Sequence, residues 1–231
     1  MEDIMSTSNN DILYPVAEYF ISINGEGPAS GYLAAFIRLR GCNLHCNYCD
    51  TRWACLEDCP VTMMSGQEIL NRILADGIER ATITGGEPLL ADGIGPLIEL
   101  LGSRGIHVEI ETNGSVSILP FCNLKYRPAF TLDYKCPGSG MEKYMLTDNY
   151  QHLGSRDCLK FVVSSREDLD QASEIIRTFH LDQKCGLYLS PVFGRIHPKE
   201  IVEYMKLHHW NTVRLQLQLH KFIWPPDMRG V

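Results

Sequence analysis

The sequence lacks any apolar stretch long enough to cross a bilayer. Its start, MEDIMSTSNND, also lacks the basic patch and apolar run of a secretory signal. Basic residues are in the minority, since 21 Lys and Arg stand against 28 Asp and Glu for a net charge of -7. That balance argues against extended nucleic-acid binding, although a few local cations can still hold a small anion. We therefore expect a cytoplasmic protein that binds neither membranes nor nucleic acids.

Cysteine is abundant, with nine residues in the chain. In a protein without a secretion signal these are not expected to form a disulfide framework, because the cytosol keeps thiols reduced. Five of them fall between Cys42 and Cys59. Such a dense group favours metal binding or catalysis over a structural role for each thiol.

Strand-like and helical patterns alternate along the chain, which predicts an α/β fold in one domain of residues 13–231 after a flexible tail of residues 1–12. Several strand candidates are apolar on both faces, as in a covered parallel sheet. The candidates are residues 34–39, 81–84, 107–111, 130–134, 159–163, 187–190 and 213–219. We expect a shortened, partly open barrel of six or seven strands with functional loops at the C-terminal strand ends.

Helix signals lie between these strands. Ser65 and Glu68 are spaced as a capping box for a helix that Gly77 would end. Asp92 is predicted to cap the second helix, Asp168 lies early in the third, and Pro198 suits the first turn of the fourth.

A C-x3-C-x2-C run follows the first strand candidate and contains Cys42, Cys46 and Cys49. Iron-sulfur clusters are held by thiolates, usually four, so three local cysteines would leave one iron position open. Structural zinc is the alternative, with His45, Cys55 or Cys59 as a fourth ligand. The spacing alone does not separate these two possibilities.

Neighbouring motifs favour the cluster. The next strand candidate ends in Thr84-Gly85-Gly86-Glu87-Pro88. A three-cysteine loop followed by a Gly-Gly-Glu-Pro strand end resembles the radical S-adenosylmethionine (SAM) enzymes. The resemblance implies a (β/α)6-type radical SAM barrel and a 4Fe-4S cluster on Cys42, Cys46 and Cys49, whose open iron chelates SAM and cleaves it to a 5'-deoxyadenosyl radical. The cofactors would carry the radical chemistry while the protein binds and orients.

The family resemblance also implies a set of SAM-binding residues, several of them at strand ends. Glu111 begins an ETNG segment, Asp133-Tyr134-Lys135 ends another strand, and Ser164 follows LKFVV, where a helix N-cap is the alternative role. The full predicted set is Tyr48, Gly85, Gly86, Glu87, Glu111, Asp133, Tyr134, Lys135 and Ser164.

The segment EYFISINGEG, residues 18–27, resembles the F-x-S-x-Q-G-E-G motif of 7-carboxy-7-deazaguanine synthases. Its carboxylate on a tight turn suits the N-H donors of a pterin edge. By that resemblance the substrate contacts are Ile23, Asn24, Gly25, Glu26, Arg38, Thr84 and His220. Thr51 matches a Mg2+ ligand of the family; one hydroxyl makes a metal site only if substrate and water complete the coordination.

The implied reaction converts 6-carboxy-5,6,7,8-tetrahydropterin to 7-carboxy-7-deazaguanine and ammonia, with an electron donor such as flavodoxin or ferredoxin and a homodimeric enzyme. Asn24 departs from the family Gln, and the extension of residues 222–231 continues past the family's final His-Lys pair. The alternatives are a glycyl-radical activating enzyme, which has the same compact cysteine spacing but acts on a protein, and a zinc-binding module.

Overall fold

The computed structural model describes residues 12–231, so the predicted tail lies outside the described residues except for Ile12. One sheet runs through the molecule in the strand order β3-β1-β2-β4-β5-β6-β7-β8-β9. Its strands are β1 Leu13–Ile23, β2 Leu33–Leu39, β3 Thr62–Ser65, β4 Arg80–Gly85, β5 His107–Thr112, β6 Ala129–Tyr134, β7 Cys158–Val163, β8 Gly186–Pro191 and β9 Val213–Leu215.

The seven predicted strands form the parallel part of this sheet, from β2 through β4 to β9. The sheet is open, with β3 and β9 at its edges, which confirms the α/β, partly open architecture. The sequence reading missed β1 and β3, which add antiparallel strands beyond β2. It also extended the last strand too far, because β9 ends at Leu215 rather than at residue 219.

Helices cover the outer face of the sheet. The α-helices are α1 Gly66–Ala75, α2 Ile94–Ser103, α3 Leu119–Cys122, α4 Arg166–Phe179, α5 Pro198–Leu207 and α6 His220–Ile223. Short 3-10 helices span Arg52–Cys55, Pro88–Leu90, Pro137–Ser139, Glu142–Tyr144, Thr147–His152 and Leu181–Gln183. Within the described residues, no helix is long and apolar enough to span a membrane.

Helix starts follow local side-chain chemistry. The predicted capping box forms, because Ser65 accepts from the backbone of Glu68 while the Glu68 carboxylate accepts from Ser65. The prediction that Asp92 caps α2 is wrong: the N-cap is Gly93, at φ 74, without a side-chain cap. A left-handed backbone at that point favours glycine over the aspartate before it.

Alternation along the parallel strands separates an apolar face from a polar one. Ile37, Ile83, Ile110, Leu132 and Leu189 are fully buried beneath the helices. The intervening positions point inward and are largely polar: Arg38, Thr82, Thr84, Glu109, Glu111, Thr131, Asp133, Lys160 and Ser190. Burying each large aliphatic side chain stabilises the fold by roughly 1.5–3 kcal/mol. The apolar outer face therefore stabilises the packing of sheet and helices, and the polar inner face is available to bind a ligand.

Candidate active site

The inner face of the sheet opens into a cavity of about 450 Å³ at the C-terminal strand ends. This is the edge at which ligands bind in open parallel sheets. Most of the predicted site residues line it: Ile23, Gly25, Glu26, Arg38, Cys42, Cys46, Tyr48, Cys49, Thr51, Thr84, Gly85, Gly86, Glu111, Asp133, Lys135 and His220. The structure thus brings residues from five strands and the cysteine loop to one place.

Hydrogen bonds to backbone carbonyls fix the cysteine loop in place. Gly41 N donates to Ala54 O at 3.0 Å, which folds the 3-10 turn Arg52–Cys55 back against the start of the loop. Arg52 Nη2 donates to Cys46 O at 3.1 Å, and the Tyr48 hydroxyl donates to Val162 O at 3.2 Å. These bonds hold the loop over the ends of the parallel strands.

The thiols of Cys42 and Cys49 favour the ionised form. The pKa of each is lowered to about 6, chiefly because the neighbouring Cys55 thiol can donate its single S-H to either sulfur. Backbone Leu44 N and the Asn113 amide also donate to Cys42, at 3.4 and 3.6 Å. Burial raises the pKa of Cys46, while the charge of Lys135 lowers it. Since metal-bound cysteine is a thiolate, the loop is chemically suited to iron.

The cysteines at the cavity are the candidate metal ligands. Among residues 12–231, no three His, Cys, Asp or Glu side chains converge as the ligands of one ion would. His45 is exposed and Cys59 turns its thiol to Pro60 O at 3.5 Å, so neither acts as a fourth ligand at the cavity. Cys55 also lines the cavity and its thiol interacts with Cys42 and Cys49, so the four thiols here suit either a thiolate-bound cluster or a zinc ion, and the neighbouring family motifs favour the cluster.

Gly85 and Gly86 let the end of β4 lie directly against the cysteine loop. A Cβ on Gly85, at φ 141, would lie 2.1 Å from Leu39 O, and one on Gly86 would lie 1.9 Å from Gly41 O. Gly86 N donates to Leu39 O at 3.2 Å and Glu87 N to Gly41 O at 2.8 Å. Only glycine allows this approach of backbone to backbone.

Glu87 lies behind the cavity rather than in it. It is 2% exposed, and its carboxylate accepts from Asn113 N at 2.6 Å and Leu89 N at 3.0 Å, as well as from the Thr112 hydroxyl. Burial raises its pKa to about 7 against these hydrogen bonds. Its side chain therefore ties the ETNG segment to the Gly-Gly turn, and Asn113 is in turn held against Cys42.

The Gly-Glu-Gly turn is clamped by the segment after β9. Gln216 accepts from Gly27 N at 2.7 Å and donates to Gly27 O at 3.1 Å. The Glu26 carboxylate accepts from Ser190 Oγ at 2.6 Å and Gln218 Nε2 at 3.2 Å. These contacts hold Glu26 at the cavity wall and explain why β9 ends early, since the glutamines bind the turn instead of extending the sheet.

Arg38 occupies the wall formed by β1 and β2. Its Nε lies 3.1 Å from Glu18 Oε2, and its guanidinium carbon lies 5.8 Å from the centroid of the Phe20 ring. Phe20 stacks on Phe36 at 4.8 Å, so an aromatic surface adjoins the cation. Both aromatic residues line the cavity. The arrangement provides a cation with free donors beside a flat apolar face.

Charged groups line the floor of the cavity. Lys160 Nζ lies 3.1 Å from both Glu26 Oε2 and Asp133 Oδ1, and Lys135 Nζ lies 2.7 Å from Asp133 Oδ2. Burial opposes ionisation of Asp133, but the two ammonium groups outweigh it and lower its pKa. Burial raises the pKa of Glu111, which Lys160 partly offsets.

Three predicted site residues point elsewhere. The Asn24 side chain is buried between Thr82 Oγ1, at 2.8 Å, and Glu109 Oε2, at 3.2 Å. Tyr134 lies on the opposite face of β6 and donates to Glu142 Oε1 at 2.6 Å. Ser164 donates to Asp168 Oδ2 at 2.7 Å. With Glu87, these are the predicted side chains that the structure does not bring to the cavity.

The alternative role of Ser164 as a helix N-cap is wrong, because the N-cap of α4 is Ser165. His220 and Lys221 belong to α6 rather than to an edge strand. Lys221 Nζ lies 3.2 Å from Asp50 Oδ2 of the cysteine loop. Residues 226–231 line the cavity mouth, where the Arg229 guanidinium lies 4.1 Å from the Trp53 ring centroid.

The sequence reading missed several cavity residues. Lys160 was marked by its place in an otherwise apolar strand, where a lysine needs buried partners. Gln218 lines the cavity, and Gln216, which shares its side of the final segment, binds the Gly27 backbone next to it. Glu18 had no distinguishing signal, because its contact with Arg38 depends on the pairing of β1 with β2.

Comparison with known proteins agrees with this geometry. Residues 36–125 match the radical SAM superfamily. A 7-carboxy-7-deazaguanine synthase of Clostridium acetobutylicum is 54% identical over 94% of this chain and 99% of its own. A 7-carboxy-7-deazaguanine synthase of Chlorobaculum tepidum is 38% identical over 94% of this chain and 96% of its own. The crystal structure of QueE from Escherichia coli has a TM-score of 0.71 at 25% identity, covering 93% of this chain and 99% of that one.

An open parallel sheet with a three-cysteine loop against a Gly-Gly strand end defines a radical SAM enzyme. Within that class, the chain belongs to the 7-carboxy-7-deazaguanine synthase family, as its identity to members along nearly the full length shows.

Proposed function

We propose that this enzyme converts 6-carboxy-5,6,7,8-tetrahydropterin to 7-carboxy-7-deazaguanine with loss of ammonia. The observation that carries the proposal is the placement of Glu26 and Arg38 around one cavity with the cysteine loop. The Glu26 carboxylate presents an acceptor to pterin N-H groups, and Arg38 can pair with the substrate carboxylate. The Phe20 face beside Arg38 suits a flat ring.

Cys42, Cys46 and Cys49 would hold a 4Fe-4S cluster, and Gly85, Gly86 and the strand-end polar groups would hold SAM. When bound, these cofactors supply a 5'-deoxyadenosyl radical for hydrogen abstraction from the substrate. The protein's own part is to fix the pterin between Glu26 and Arg38 and to keep water out. The identity of the chain to 7-carboxy-7-deazaguanine synthases along nearly its full length favours a small substrate over a protein segment, which disfavours a glycyl-radical activating enzyme.

Further parts of the proposal rest on family resemblance. Thr51, which lines the cavity beside the cysteine loop, would bind Mg2+ together with the substrate carboxylate and water. Flavodoxin or ferredoxin would supply the electron, and the enzyme would be a homodimer. Activity measured with and without Mg2+ in Thr51→Ala tests the first point, because the variant should lose the stimulation.

The deciding assay is anaerobic incubation with SAM, dithionite and the carboxytetrahydropterin, with products identified by mass spectrometry. Arg38→Met should raise the KM for the pterin roughly 10- to 100-fold, because charged hydrogen bonds contribute about 1.5–3 kcal/mol. Arg40→Met is the matched control, since Arg40 lies two residues on and bonds Glu57 O. Turnover of a partner protein with an unchanged pterin would contradict the proposal.

A further inference from the structure

The ammonium of Lys160 lies between the two ligand-binding halves of the cavity. Its Nζ is 3.1 Å from Glu26 Oε2, on the turn proposed to bind the pterin, and 3.1 Å from Asp133 Oδ1, on the strand end proposed to bind SAM. Asp133 is directly opposite Lys160 in the β6–β7 register. The contacts of one side chain therefore reach both proposed binding positions.

The two carboxylates depend on Lys160 to different degrees. Within residues 12–231, the other donors to the Glu26 carboxylate are neutral, namely Ser190 Oγ and Gln218 Nε2. Asp133 keeps a second cation, since Lys135 Nζ lies 2.7 Å from its other oxygen. Lys160 itself is only 6% exposed, so its charge is not screened by water.

We propose that Lys160 is a positioning residue that orients Glu26 for the pterin and Asp133 for SAM, so that binding of both ligands depends on one ammonium. This inference rests on the proposed function for its pterin half. An ammonium has three N-H donors; Lys160 donates one to Glu26 Oε2 and pairs with Asp133 Oδ1 through charge at 3.1 Å. Lys160 also lines the cavity.

Glu111 provides a readout that needs neither ligand. It is half-buried in the same cavity as Lys160. Desolvation and the charges of Glu26 and Asp133 raise its pKa, while Lys160 and a hydrogen bond with Thr84 lower it. Removing the Lys160 charge therefore leaves a cluster of carboxylates with Lys135 as the nearest cation. Glu111 should then take up a proton, which gives a carboxylic-acid C=O band in the infrared spectrum.

The test compares Lys160→Met, which keeps length but not charge, with Lys160→Arg, which keeps the charge. The matched control is Arg127→Met, because Arg127 forms a buried ion pair with Asp157, 2.6 Å between Nη2 and Oδ2, outside this cavity. Reconstituted proteins are compared for SAM dissociation constant and pterin KM. Infrared spectra of the ligand-free proteins include the double variant Lys160→Met with Glu111→Gln.

Lys160→Met should weaken SAM binding and raise the pterin KM by about tenfold each, as expected when coupled residues lose a shared partner. Lys160→Arg should recover at least half of each loss, and Arg127→Met should change neither. The infrared test uses difference spectra against the wild type at about pH 8, because Glu87 and Glu109, with pKa values raised to about 7, give acid bands of their own near neutral pH. In these difference spectra the acid C=O band should appear for Lys160→Met and be absent for the double variant. If Lys160→Met does not fold, Lys160→Gln replaces it in every comparison.

Affinities within twofold of the wild type, or a loss equal to that in Arg127→Met, would overturn the inference. So would a spectrum without the acid band. A wild-type protein that binds SAM but leaves the pterin unchanged would instead refute the proposed function. In that case the SAM affinities and infrared spectra still decide the role of Lys160.

Discussion

Gly86→Ala tests whether the contact between the β4 end and the cysteine loop is required for cofactor binding. Gly86 does not have a positive φ, so the effect comes from contact rather than from backbone strain. The new Cβ would lie 1.9 Å from Gly41 O and 2.7 Å from the Cys42 Cβ, whereas Cβ atoms essentially never approach closer than 3.0 Å. The loop must therefore move by about 1 Å, because Gly41 O belongs to the backbone and the Cys42 Cβ is attached to it, so neither atom can rotate out of the way.

The expected magnitude follows from that displacement. Overpacking costs about 1–3 kcal/mol, and the hydrogen bond from Glu87 N to Gly41 O, now 2.8 Å, contributes about 1 kcal/mol more. The free energy of unfolding should fall by about 2–4 kcal/mol. A shift of about 1 Å in a cofactor loop can also lower the reaction rate roughly a hundredfold.

The assay combines urea unfolding with iron, sulfide and SAM-affinity measurements after anaerobic reconstitution. Gly95→Ala is the matched control, since a Cβ there meets nothing within 4 Å. It should leave the cluster intact and stabilise the protein by up to about 1 kcal/mol, because Ala is the better helix former. A Gly86→Ala protein with full cluster content and wild-type SAM affinity would refute the reasoning.

Three further predictions concern other parts of the molecule. Cys42→Ala should abolish SAM cleavage while Cys59→Ala retains it; equal activities would contradict the assignment of the loop. Burial raises the pKa of Glu109 to about 7, so its contribution to stability is present below pH 4.5 and lost as the pH rises to about 7. In urea unfolding, the free energy of unfolding of Glu109→Gln should therefore exceed that of the wild type by about 3 kcal/mol at pH 8 and match it near pH 4.5. A difference between the two proteins that does not change with pH would contradict this reasoning. Arg229→Ala should speed release of bound pterin in stopped-flow, because it removes the contact with Trp53 at the cavity mouth; an unchanged rate would exclude this role.

Strands and cofactor loop were predictable because their signals are local. Apolar runs bounded by turn residues identify parallel strands, and the spacing of Cys42, Cys46 and Cys49 needs no tertiary information. The strands β1 and β3 gave no such signal. In β1, Pro15 and Glu18 interrupt the apolar run, and the ladder carries an irregularity between Val16 and Glu18.

Side-chain direction was harder to predict than position along the chain. Asp133 and Lys135 line the cavity, so Tyr134 between them has to face away, as strand alternation requires. The sequence alone therefore indicates that Tyr134 does not share a face with Asp133 and Lys135. The burial of Asn24 was not visible in the sequence, because it depends on Thr82 and Glu109 from two other strands. Asn24 shows that a residue inside a recognised motif can support the fold instead of contacting a ligand.

The most direct test of the account is Mössbauer spectroscopy of protein reconstituted anaerobically with isotopically enriched iron, recorded before and after SAM is added. We predict a 4Fe-4S spectrum in which one iron site changes when SAM binds, because three cysteines leave one iron without a protein ligand. A cluster spectrum in which no iron site changes when SAM is added would contradict this prediction. So would a protein that contains stoichiometric zinc and no sulfide.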